Sequence, residues 1–237
     1  MGQPLHARRQ LGVASMCLAA GPTLEFEQRA WRCGHGVVAG VDEAGRGAWA
    51  GPLVAAAAIV PRESVARAKL TRALNRAGVR VDDSKQLTAS QRETIVDIMD
   101  SVGVRYRWVA IDVQEIDRLG VGIANRRALA LAAATLPEHV DHLLVDGFPP
   151  LEAGCSFEAI VGGDARSLSI ALASIVAKVQ RDRLMVELDV ACPGYSFGVH
   201  KGYGTKLHAE ALDRLGVSLH HRSSFAPIAA RLTRHGQ

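Results

Sequence analysis

Nothing in the sequence is long and apolar enough to suggest a membrane span. The longest uninterrupted apolar run, Leu53 to Val60, has eight residues, where a spanning helix needs about 20. Cysteine is sparse: Cys17, Cys33, Cys155 and Cys192 form no CxxC pair, so neither a zinc ribbon nor a dithiol redox site is indicated. Four scattered cysteines in 237 residues suit a reducing cytoplasm better than a disulfide framework. No HExxH or cysteine-rich spacing accompanies His208, His220 and His221, which removes the case for zinc. Internal repeats and low-complexity linkers are missing as well. Charge of one sign is in small excess: 28 Lys and Arg against 24 Asp and Glu, a formal +4, permits a polyanionic partner without requiring one.

What remains is an ordinary globular composition, 48% hydrophobic and 22% charged, in a chain of one domain with a modest extension. Arg8 and Arg9 precede a soft apolar stretch, Leu11 to Ala20, that loosely imitates a secretory or twin-arginine signal. Gly12, Ser15 and many alanines fit a flexible tail better, with a short helix around Leu24 to Trp31. The expected division is a flexible N-terminal extension over residues 1–36, a core over 37–190 and a C-terminal extension over 191–237.

Local patterns predict the elements. Val37 to Val41 and Leu53 to Val60 read as strands, separated by a turn rich in glycine. Glu63 to Ala77 reads as a helix, and Thr88 can cap another that runs to Ser101. Val104 to Ile111 is a third strand, Val113 to Leu136 a helix interrupted near Gly120 and Gly122, and Val140 to Val145 and Phe157 to Val161 are further strands. A long helix is expected from Ser167 to Val190, a loop from Cys192 to Gly204, and a last helix from Lys206 to Leu215. Strands in succession followed by helix and strand in alternation predict an α/β chain, a mixed sheet with helices on its faces.

Three of these strands lead to carboxylates: Asp42 and Glu43, Asp146, and Asp164. Sites in α/β sheets lie where strands end. Acidic groups gathered at one spot repel unless a cation sits among them, and hard divalent ions take oxygen ligands. Each carboxylate alone has a plainer explanation: a turn at Asp146-Gly147, a helix cap at Asp164, a solvated strand end at Asp42-Glu43. Adjacent strand residues also face opposite ways, so Asp42 and Glu43 share a site only if the strand breaks behind them. The turn Gly45-Arg46-Gly47 fails as a P-loop, because Arg46 and Gly47 stand where Lys and Ser or Thr are needed. It fits either a hairpin or a close approach of backbone to a sugar-phosphate chain. Ser174, Lys178 and Arg181 share a helical face on which the two cations could meet phosphates. Tyr203, between Gly202 and Gly204, could stack on a sugar or base, or pack under its loop.

Together the segments resemble the ribonuclease HII family, the prokaryotic type 2 ribonucleases H. The matching stretches are Val38 to Gly47 with Ala50-Gly51-Pro52, Asp83 to Leu87, Val145-Asp146-Gly147, Gly163-Asp164, Ala173 to Val179 with Arg181-Asp182-Arg183, His200 to Thr205, and His221 to Phe225. The chain departs from the usual pattern at Ala48-Trp49, Leu172 and Cys192. The resemblance implies an RNase H-like fold, a five-stranded mixed sheet flanked by helices with a C-terminal helical extension. It implies hydrolysis of the RNA strand of RNA–DNA hybrids and incision 5′ of single ribonucleotides in duplex DNA, leaving a 3′-hydroxyl and a 5′-phosphate. Asp42, Glu43, Asp146 and Asp164 would hold magnesium or manganese; Gly45, Arg46, Gly47 and Tyr203 would read the ribose; Lys85, Ser174, Lys178 and Arg181 would lie near phosphates. A cytoplasmic monomer that binds nucleic acid and no membrane is expected. A DNA-directed nuclease on a similar fold and a non-catalytic binding module are the competing readings.

Overall fold

The computed structural model describes residues 21–235; the expectations for Arg8, Arg9 and Leu11 to Ala20 lie outside these residues. Five strands form one sheet: β1 (Val38–Ala44), β2 (Leu53–Ile59), β3 (Arg105–Ile111), β4 (His142–Asp146) and β5 (Ser156–Ile160). Their order is β3-β2-β1-β4-β5. β2 is antiparallel to both β1 and β3, whereas β1, β4 and β5 run parallel. The sheet is therefore mixed, as the resemblance implies. Among the described residues, no helix is long and apolar enough to cross a membrane.

The alternation of β2 explains the layers. Val54, Ala56 and Ala58 face one core, shared with α2 (Ser64–Arg76), α3 (Ala89–Val102) and the 24-residue α6 (Leu168–Ala191). Leu53, Ala55 and Ala57 face the other core, under α5 (Val121–Ala134). The run of small alanines lets helices lie close on both faces, so every residue of β2 is buried. α6 crosses β1 at Gly40, where a Cβ would stand 2.2 Å from the backbone of Ser169 and Ile170; only glycine fits there. Thr88 caps α3 with a full capping box to Gln91, and α4 (Val113–Leu119) is separated from α5 at Gly120.

Three expectations need correction. Residues 21–36 are not a loose tail: the short helix expected there forms as α1 (Glu25–Arg32), and it buries Phe26, Ala30 and Trp31 against Val38, Leu144 and Ile170. Its buried Glu27 accepts the backbone N–H of Ser169 at 2.8 Å and the hydroxyls of Ser167 and Ser169, each at 2.7 Å, an anion tied to the N-terminus of α6. The stretch from Cys192 to Gly204 contains a short helix, α7 (Phe197–His200). Beyond α8 (Lys206–Leu215) comes a further helix, α9 (Ala226–His235). Ala50, Met185, Tyr195, Phe197, Leu212 and Ile228 give this C-terminal part its own small core at the far end of α6.

Candidate metal centre and nucleic-acid cleft

Parallel pairing of β1 with β4 places Val41 beside Val145, so Asp42 and Asp146 emerge from neighbouring strand ends. β5 carries the chain past Ile160 into a 3₁₀ turn, Gly163–Ala165, which presents Asp164. The N–H of Gly163 donates to Asp146 Oδ1 at 2.6 Å and fixes that carboxylate. The result is a cluster in which one oxygen from each of Asp42, Asp146 and Asp164 lies within 4.8 Å of the others.

Glu43 lines the same cleft as Asp42 and Asp146 but lies outside the three-oxygen cluster, because β1 does not break behind Asp42. It stays extended through Ala44, so side chains alternate: Asp42 takes the α6 face near Ser174, and Glu43 takes the α5 face near Asn125. Glu43 is paired with Arg46 at 3.1 Å. The four carboxylates still feel one another. Burial raises the Asp42 carboxyl well above the usual range, and the charges of Glu43 and Asp146 push it further. Burial also raises Glu43, against the opposing pull of Arg46, and raises Asp146, against the Gly163 N–H. Buried, mutually repelling carboxylates of this kind are relieved by a multivalent cation. Besides Arg46 at Glu43, a side-chain cation serves Asp164: Lys85 Nζ lies 2.9 Å from Asp164 Oδ2. Burial opposes the charge on Lys85, but the contact with Asp164 outweighs it and raises the ammonium pKa.

The cluster opens into a cleft of about 560 Å³ lined by Gly45, Arg46, Gly47, Lys85, Lys178 and Tyr203, with Ser174 on its wall. Ser174 is 5% exposed and shares a hydrogen bond of 2.9 Å with Ser84, so its role is to brace the floor near Asp42. Lys178 faces the cleft but is held at 2.7 Å by Asp182. Tyr203 stands at the rim, 39% exposed.

Arg181 does not stand where a phosphate could reach it, contrary to expectation. It is fully buried and donates to the carbonyls of Pro52 (3.0 Å), Lys201 (2.9 Å) and Ala50 (3.3 Å). Its stem occupies the space beside Gly45, whose φ is +90° and where a Cβ would fall 1.8 Å from the Arg181 Nε. Its guanidinium carbon lies 5.3 Å from the Tyr203 ring centre. Arg181 therefore holds the glycine turn and the tyrosine loop together from beneath.

Sequence reasoning missed two supports. Arg222 is buried and donates to the carbonyls of Gly51 and Arg46. Its motif was visible, but a role for it was not. Asn125 is 2% exposed beside Glu43, and its Oδ1 has no partner; a single asparagine in an alanine-rich helix gave no signal. Behind the tyrosine loop, three histidines interlock. The N–H of Gly202 donates to His200 Nδ1 (3.1 Å), and His208 Nδ1 lies 3.0 Å from the Tyr203 carbonyl. His208 and His221 meet through their Nε2 atoms at 3.0 Å.

Known proteins resemble this chain. Residues 39–228 match the family model described as Ribonuclease HII. A ribonuclease HII of Bradyrhizobium diazoefficiens is 48% identical over 198 residues, spanning 84% of this chain and 71% of that protein. One of Mycobacteroides abscessus is 45% identical over 200 residues, 83% of this chain and 80% of the other. Among solved structures, the ribonuclease H2 from Pyrococcus horikoshii superposes with a TM-score of 0.68 at 26% identity, covering 85% of this chain and 99% of that one.

Proposed function

Because the chain belongs to the ribonuclease HII family and is thus a ribonuclease H, we propose that it cuts the RNA strand of RNA–DNA hybrids and incises 5′ of single ribonucleotides embedded in duplex DNA, a step suited to ribonucleotide excision repair. The observation that carries this reading is the three-carboxylate cluster at the ends of β1, β4 and β5, set at the head of a cleft that also holds a glycine turn and an exposed tyrosine. Asp42, Asp146 and Asp164 would hold a divalent cation, magnesium or manganese, and Glu43, on the wall of the same cleft, would serve a second. Bound there, such ions supply a Lewis acid for an attacking water and neutralise the leaving 3′-oxygen.

The chain's own residues do the placing. The backbone at Gly45 to Gly47 can approach a ribose closely, and its N–H groups suit the 2′-hydroxyl that separates RNA from DNA. Tyr203 offers a ring and a hydroxyl at the next sugar. Lys85 and Lys178 line the path of the phosphates. All these groups come from one chain, so a monomer suffices. Cys33, Cys155 and Cys192 are free, which supports a cytoplasmic setting.

The test is a pair of identical DNA duplexes, one carrying a single ribonucleotide, incubated with magnesium, manganese or chelator. Incision only of the ribonucleotide-containing duplex, only with metal, and 5′ of the ribose is the expected outcome. Equal cutting of both duplexes would instead mean a DNA-directed nuclease, and binding without cutting would mean a non-catalytic module.

A further inference from the structure

Beside the acidic cleft, on the other side of the glycine turn, lies a second hollow of about 600 Å³. Its walls are apolar: Val121 and Ile123 from the start of α5, Phe225, and Phe148, which follows Asp146 by two residues. Arg46 and Gly47 line both hollows, so the two adjoin at the turn. Phe148 is 57% exposed and Ile123 is 50% exposed, an unusual pair of large apolar side chains to leave in water at the lip of a charged site.

The platform is built rather than loose. The Phe148 N–H donates to the Asp146 carbonyl at 2.9 Å, and the Leu151 N–H to the Arg126 carbonyl at 3.0 Å. Arg126 Nε donates to the Pro149 carbonyl at 3.0 Å, tying the loop to α5. The Arg46 guanidinium carbon lies 5.2 Å from the Phe148 ring centre, while the same guanidinium pairs with Glu43. An exposed ring with an arginine at its side, adjoining a phosphodiester site, has the chemistry of a stacking platform for a nucleotide.

We propose that Phe148 and Ile123 form a second nucleotide-binding ledge, on which the base or sugar face of the nucleotide neighbouring the one seated at Gly45-Arg46-Gly47 lies, with Arg46 between the two. The occupant is the continuing nucleic-acid strand, because the ledge adjoins the cleft at Arg46-Gly47 and is edged by the cations Arg46 and Arg126. This inference rests on the ribonuclease reading above. The ledge makes Phe148 a substrate-positioning residue and gives Arg46 two tasks, orienting Glu43 and flanking the ring.

The experiment uses the full chain carrying Asp42→Asn, so that a duplex with one ribonucleotide is bound and left uncut, and reads affinity by fluorescence anisotropy. Adding Phe148→Ala should weaken binding about 5- to 150-fold, the range for loss of one aromatic–base stack. Phe148→Trp should restore it. Phe148→Leu, which keeps apolar bulk without a ring, should stay weakened. Light-induced cross-linking from 5-iodouracil placed at nucleotides flanking the ribonucleotide should map to Phe148 from one position only. Equal affinity of the Phe148→Ala and parent proteins, both with native melting curves, overturns the ledge while leaving the ribonuclease reading intact. A wild-type protein that neither binds nor cuts the duplex overturns both.

Discussion

At the scale of single residues, Asp42 carries marked electrostatic tension. Its folded pKa is raised by burial and by the charges of Glu43 and Asp146, so the folded state binds more protons than the unfolded chain between the ordinary carboxylate pKa and the raised one. Stability from this group is therefore present at low pH and lost as pH rises through that window. At neutral pH in chelator, Asp42→Asn should raise the melting temperature by several degrees, and with metal present it should abolish cleavage. Saturating magnesium or manganese should stabilise the wild type by about 5–10 °C, which is roughly 2.7 kcal/mol at a hundredfold excess over the dissociation constant. The gain should be much smaller in the variant. Differential scanning calorimetry with and without metal checks both statements; an equal metal-induced gain in the two proteins would remove Asp42 from the site.

At the scale of elements, the glycine turn, the tyrosine loop and α6 are joined by one guanidinium. Arg181 satisfies three carbonyls from two separate segments and packs under both Gly45 and Tyr203. A lysine cannot reach all three, and each buried carbonyl left bare costs about 1–3 kcal/mol. Arg181→Lys should accordingly lower stability by about 3–5 kcal/mol, read as the urea midpoint. A phosphate-binding arginine would reveal itself differently. Its loss would reduce the salt dependence of duplex binding by about one unit of slope, whereas the buried Arg181 should leave the slope unchanged in whatever fraction remains folded.

At the scale of the whole molecule, the C-terminal helices are fastened to the core through neutral histidines. Burial pushes His208 and His221 down to about 4, with further lowering of His208 by the charge of His200 and of His221 by His208. In the unfolded chain they would take up protons near 6.5, so the unfolded state binds more protons between about 6.5 and 4, and stability falls as pH drops through that range. The melting temperature should decrease from pH 7 to pH 5 by about 5 °C or more, on the order of 2 kcal/mol per fully shifted histidine. Nitrogen-15 NMR of the imidazoles should show both rings still neutral at pH 5. Rings that titrate near 6.5 would mean that the histidine network is open to solvent and does not hold the tyrosine loop.

Much of this was legible in the primary structure because it rests on local rules. Apolar and β-branched runs located every strand, Thr88 announced its helix cap, and Asp42, Asp146 and Asp164 each stood at a strand end or just past one. The apolar alanine run of β2 signalled a strand buried on both faces. What the chain order could not reveal is which groups face one another across the fold. Whether Arg181 meets a phosphate or three carbonyls depends on where Pro52, Ala50 and Lys201 come to lie, and which helix Glu43 faces depends on β1 remaining extended for two residues more. The anchoring of α1 through Glu27, the orphaned Oδ1 of Asn125 and the ledge at Phe148 likewise exist only after distant segments pack. Composition and periodicity determine which elements form, because those depend on neighbours in sequence. Burial and long-range pairing decide what each charged group does, because solvation and Coulomb energies depend on neighbours in space.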